Sequence, residues 1–220
     1  MITTNISNDI SGLSNIVELH ALSTVKKWVK LIPLCKTILY SEYDKQSLFT
    51  KVANVSLDNE IARHGKNSGY KKRKTVIQFL PTIPAYEFDS NTSQWLYIFV
   101  INNRIVKIGG TRTGLKARCL SYLCGHHILE RGNSGHCSNT NAYIYNTFEF
   151  YLGAGSAIEM YAYKVPQEAV NVEIFGKPHS IIPQIYHIYE SICLKEYKES
   201  YHEYPILSDN CDPLYKSTNS

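Results

Sequence analysis

The chain has 220 residues, 44% of them apolar, enough for one substantial core and a smaller second unit. Its 23 basic and 19 acidic residues leave a formal charge of +4, which excludes a disordered polyelectrolyte, and six cysteines are too few for a disulfide scaffold. No uncharged apolar run reaches the ~18 residues of a membrane span and no secretory signal pattern opens the chain, so a cytoplasmic protein without membrane contact is expected.

Residues 1–12 are polar and predict no regular structure. Between residues 13 and 32, apolar positions such as Ile16, Leu19, Leu22, Val25, Trp28 and Ile32 recur at helical spacing until Pro33 ends the pattern. A second helix is expected over 44–55, then a basic loop, an extended stretch over 75–80, and a linker marked by Pro81, Pro84 and the polar run 89–94. At Trp95 the character changes: 95–101 is a dense apolar strand, Asn102 and Asn103 form a two-residue turn, and 104–108 is the returning strand, broken by Gly109 and Gly110. Residues 114–123 read as a helix with Leu115, Cys119, Tyr122 and Leu123 on one side. Strands are expected over 142–152, 158–165 and 170–175, and a helix over 183–201. This order predicts an α+β fold, with a small, mostly antiparallel sheet flanked by helices. The chain divides into an N-terminal helical, basic region (1–94) and a second unit (95–220).

The modest net charge conceals segregation. Residues 1–95 hold 12 basic and 8 acidic side chains, 96–131 hold six and one, and 132–220 hold five and ten. Arg63, Lys66, Lys71, Lys72, Arg73 and Lys74 follow one another without an acid, a pattern that suits either an arm tracking phosphates or a solvated loop. In the second block, Arg112 and Lys116 accompany the residues described next.

Tyr97 lies mid-strand. With a turn at Asn102 and Asn103, position 97 faces position 108, which makes Lys107 a near neighbour of Tyr97. Arg118 follows Lys107 by eleven residues, and Tyr122 comes four later, on the same helix face. Far downstream, Glu190 sits amid Ile185, Tyr186, Tyr189, Ile192, Cys193 and Leu194. A carboxylate in such company is costly unless paired or bound to a cation.

The block Leu96-Tyr97-Ile98, then Lys107-Ile108-Gly109, Arg118 and the late Glu190 resembles the GIY-YIG nuclease superfamily over about residues 95–204. Leu96 departs from the Gly of the first motif. Lys107 replaces the leading Tyr of the second, as in a branch of small type II restriction endonucleases. The resemblance implies hydrolysis of phosphodiester bonds in double-stranded DNA at specific sequences. Tyr97 would be the general base, with its pKa lowered from about 10 by Lys107. Arg118 would clamp the scissile phosphate with its planar fork, and Tyr122 would orient the phosphate or the water. Glu190 would be the single protein ligand of a hydrated Mg²⁺, for which Mn²⁺ would substitute. One active site per chain implies a homodimer on a symmetric site, and a cognate DNA methyltransferase in the same system.

Three other readings stand beside this one. A GIY-YIG homing or repair enzyme would nick one strand as a monomer. Cys119, Cys124, His126, His127, His136 and Cys137 could hold zinc in a non-catalytic DNA-binding module, although Cys119 is expected on a buried helix face. His126 and His127 would otherwise contact DNA phosphate, and Asn210 could be a late functional asparagine. Each site residue also has an ordinary alternative: a strand tyrosine, an edge lysine, a surface arginine, a paired glutamate.

Overall fold

The computed structural model describes residues 28–32, 37–58, 77–124 and 138–208. Five strands, β1 (Thr50–Leu57), β2 (Ile77–Pro81), β3 (Trp95–Ile101), β4 (Arg104–Thr111) and β5 (Ile158–Lys164), form one sheet in the order β2-β1-β5-β3-β4. Every pairing in it is antiparallel. Helices α1 (Gly114–Leu123) and α2 (Asn139–Gly153) cover one face, and α3 (Tyr186–Tyr201) lies on the other. A separate hairpin, β6 (Val170–Ile174) and β7 (Lys177–Ile181), stands apart from the sheet. The α+β class expected from the element order is what the chain adopts.

All seven residues of β3 are buried, because both faces of this inner strand are covered. Tyr97, Phe99 and Ile101 face the core under α1 and α2, where Phe99 meets Phe148 edge-on at 4.9 Å between ring centroids. Leu96, Ile98 and Val100 face the second core with Cys193, Leu194 and Tyr197 of α3. The β3–β4 turn is the two-residue type expected: Asn102 and Asn103 both have positive φ (46° and 63°), which asparagine tolerates.

Four expectations need correction. Residues 44–55 are not a helix: short 3-10 turns precede strand β1. A register shift between Lys51 and Ala53 buries Val52, Ala53 and Val55, a spacing that imitates a helix in the sequence. Residues 142–152 belong to helix α2 instead of a strand. The Ser138 side chain caps it by accepting from Asn141 N–H, and burial of Ile144, Tyr145 and Phe148 outweighs the β preference of its aromatic residues. β4 is not broken by Gly109 and Gly110 but runs on to Thr111. Finally, β1 and β2 lie in the same sheet as β3 to β5, so the sheet crosses the division placed at residue 94. The basic run Arg63, Lys66, Lys71, Lys72, Arg73 and Lys74 lies outside the described residues, as do His126, His127, His136, Cys137, Asn210, the polar residues 1–12 and residues 13–27 of the first predicted helix.

Candidate active site

The register of β3 on β4 shapes this region. From the turn outward, Ile101 pairs with Arg104 and Val100 with Ile105, but Phe99 then pairs with Lys107, leaving Val106 as an extra residue. This bulge carries two consequences. Tyr97 faces Gly109, not the Ile108 that a regular ladder would place there. Lys107, which a regular ladder would pair with Ile98 on the opposite face, is turned to the face of Tyr97 and Phe99.

The Tyr97 hydroxyl lies at the centre of a buried cluster. It is 2.5 Å from the Tyr122 hydroxyl and accepts a hydrogen bond from Arg118 Nε–H at 2.8 Å. Arg118 and Tyr122 lie one turn apart on α1, as their spacing predicts, and the guanidinium carbon sits 4.6 Å from the Tyr122 ring centroid. Gly109 is required for this arrangement: a Cβ there would meet Tyr97 Cζ at 2.6 Å.

Glu190 approaches from α3, beyond the same strand. Its carboxylate accepts from Gly110 N–H, and a Cβ on Gly110 would come within 2.9 Å of Glu190 Oε2 and 2.7 Å of the Tyr186 ring. The Gly109-Gly110 pair therefore lets Tyr97 close in on one side of β4 and Glu190 on the other. Lys107 is 4% exposed and donates from Nζ to the Leu207 carbonyl at 3.1 Å. Tyr97, Arg118 and Tyr122 are thus in direct contact, with Glu190 held in the field of Lys107 and Arg118.

Burial raises the Tyr97 pKa, while the Arg118 charge and the bonds from Tyr122 and Arg118 act to lower it. The cation that favours its phenolate is therefore Arg118, where the family resemblance implied Lys107. Tyr122 is pushed well above the ordinary tyrosine value by burial and by Tyr97. Burial also raises Glu190, opposed by Lys107, Arg118, the Gly110 N–H and His187. Tyr97 and Tyr122 are sealed, whereas Arg118, Gly110 and Glu190 are only partly buried. A ligand therefore meets the guanidinium and the carboxylate first.

Among the described residues, no three His, Cys, Asp or Glu side chains converge on a metal-sized site. One half-buried carboxylate suits a Mg²⁺ ion that keeps most of its waters and takes further oxygens from a phosphate. Cys119 is a buried thiol against Met160 Sδ at 3.7 Å, and Cys124 donates to the Ser121 carbonyl. Arg112 donates to Gln184 Oε1 at 3.0 Å and Lys116 pairs with Asp89 at 2.8 Å, both on the exposed rim. Four contributors escaped sequence reasoning: Gly110, His187, Leu207 and Ser208. Only the glycine pair left a signal, which read as a strand break.

No family model matches the chain, and no curated protein matches it. Two solved structures are similar in part. Restriction endonuclease HPY188I in complex with product DNA has 20% identity, covers 77% of this chain and 84% of its own, and gives a TM-score of 0.47. A mutant of bacteriophage T4 EndoII has 20% identity, covers 72% of this chain and 92% of its own, and gives 0.42.

Proposed function

We propose that this chain is an endonuclease that hydrolyses phosphodiester bonds of double-stranded DNA at specific sequences. The observation that carries the reading is the Tyr97 hydroxyl held between Arg118 Nε and the Tyr122 hydroxyl, with Glu190 across the two-glycine stretch of β4. Hydrolysis needs a base for water, a cation for the phosphate and stabilisation of the leaving oxygen, and this cluster holds a residue type for each.

Arg118 receives the scissile phosphate, because its charge persists and its fork matches two phosphate oxygens. As the guanidinium turns toward phosphate, the Tyr97 hydroxyl beneath it is uncovered to accept the proton of the attacking water. Tyr122, bonded to Tyr97, fixes the orientation of that hydroxyl. Glu190 would hold a hydrated Mg²⁺, which supplies charge stabilisation at the leaving oxygen. The Lys107 charge opposes the burial penalty on the Glu190 carboxylate. The described residues of one chain form one such cluster, so cutting both strands of a symmetric site would call for two copies.

The test is cleavage of supercoiled plasmid. Linear product in Mg²⁺, none in chelator and none from Glu190→Ala with retained DNA binding would support the reading. Bound zinc with no Mg²⁺-dependent cutting would replace it with the non-catalytic DNA-binding alternative.

A further inference from the structure

β4 is an outer strand, so its outward N–H and C=O groups need partners beyond the sheet. Three different groups take the N–H bonds in turn. Ile105 N–H donates to the Ile38 carbonyl at 3.1 Å, Ile108 N–H to the Ser208 hydroxyl at 3.0 Å, and Gly110 N–H to the Glu190 carboxylate. Where the bulge leaves Val106 outside the ladder, its carbonyl accepts from Leu207 N–H at 2.8 Å. The Ser208 hydroxyl also donates to the Ile108 carbonyl at 2.8 Å, so one side chain replaces a residue of a sixth strand.

The same segment reaches the site. Leu207 and Ser208 are buried, and the Leu207 carbonyl accepts the bond from Lys107 Nζ at 3.1 Å. Residues 205–208 return to β4 from the end of α3, where His202 reverses the chain with φ 64°. The helix that carries Glu190 and the segment that holds Lys107 are therefore one continuous piece of chain docked on one strand edge. Lys107 Nζ is held at the Leu207 carbonyl, so the height of Leu207 along β4 sets where the ammonium lies on the Tyr97 face of the sheet.

We propose that residues 205–208 are a positioning strap of the active site, in which Ser208 fixes the Leu207 carbonyl and that carbonyl holds the Lys107 ammonium on the face of β4 that carries Tyr97. Ser208 touches no reacting atom and acts through Leu207 and Lys107. The inference rests on the nuclease reading for its kinetic consequence, and on the edge contacts alone for its structural one.

The test uses the full chain with Ser208→Ala, Lys107→Met and the double variant. Ser208→Ala is expected to lower kcat on duplex DNA by about 10- to 100-fold, since a misplaced group near the chemistry costs that much, with KM unchanged. In single-turnover cleavage, Ser208→Ala should add no further loss to the residual rate of Lys107→Met, because both remove the same effect. Independently of activity, Lys107 should resist reductive methylation in the wild type and become labelled in Ser208→Ala, read by mass spectrometry of peptides. Wild-type cleavage by Ser208→Ala, an equal loss in the Lys107→Met background, or an unlabelled Lys107 in Ser208→Ala would each overturn the strap. If the wild type does not cut DNA at all, the nuclease reading and with it the strap's role in catalysis fall, while the labelling still decides whether Ser208 holds Lys107.

Discussion

Tyr97 faces Gly109 across the β3–β4 ladder, and its hydroxyl occupies the space that a side chain at position 109 would fill. The whole cluster depends on that exchange of one side chain for another's hydroxyl. Gly109→Ala places a methyl carbon 2.6 Å from Tyr97 Cζ, so the phenol must withdraw from Arg118 and Tyr122. Because all three sit in packed surroundings, overpacking of this kind costs about 1–3 kcal/mol, measurable by denaturant unfolding. Loss of DNA cleavage should accompany it.

Arg118→Lys keeps the charge but loses the Nε–H that reaches Tyr97 and the planar fork over Tyr122. A conservative exchange at this site is therefore expected to behave as a null. kcat/KM should fall by at least about 10-fold, the value of one bond to a charged group, in single-turnover assays on duplex DNA.

Glu190→Gln tests the electrostatics without substrate. The folded carboxyl has a pKa above its ordinary value because of burial, so its protonated form favours the fold. That contribution is complete below the unfolded pKa of about 4.3 and is lost as pH rises through the folded one. At neutral pH the wild type therefore bears a cost that the amide does not. Glu190→Gln should melt higher than the wild type at pH 7, and the difference should close below about pH 4. Mg²⁺ should raise the melting temperature of the wild type in a concentration-dependent way and leave the variant unchanged.

The β6–β7 hairpin turns through Phe175 and Gly176, both with positive φ (51° and 75°), and Phe175 is 100% exposed. Asparagine adopts this conformation at lower cost than phenylalanine. Phe175→Asn creates the preferred Asn-Gly pair of this turn and should stabilise the chain by about 0.5–1 kcal/mol in thermal unfolding, with cleavage unaffected.

The hairpin of β3 and β4, helix α1 and helix α3 were legible because each has a local signal: an apolar run, an Asn-Asn turn, and helical periodicity. Strand β1 and helix α2 were not, for related reasons. A bulge at Val52 broke the alternation of β1, and the aromatic composition of α2 favours strands until tertiary burial decides otherwise. In the site, Arg118 and Tyr122 were placed together by helix geometry alone. The neighbourhood of Lys107 was anticipated for a reason that a regular ladder would not have delivered: only the bulge at Val106 turns it to the face of Tyr97. No local pattern announces a bulge of this kind, or the contact of Ser208 with a strand 100 residues earlier. Such features arise from unpaired edge groups that need partners, which becomes visible only once the edge exists.

The central claim is that the Tyr97 hydroxyl takes the proton from water while the rest of the cluster holds the phosphate. It is tested most directly by single-turnover cleavage of duplex DNA in Mg²⁺ by the wild type and Tyr97→Phe, each first shown to bind that DNA. The account predicts equal binding and a cleavage rate reduced by about 10²- to 10⁴-fold in Tyr97→Phe, the range for loss of a general base. Cleavage by Tyr97→Phe at the wild-type rate would contradict it.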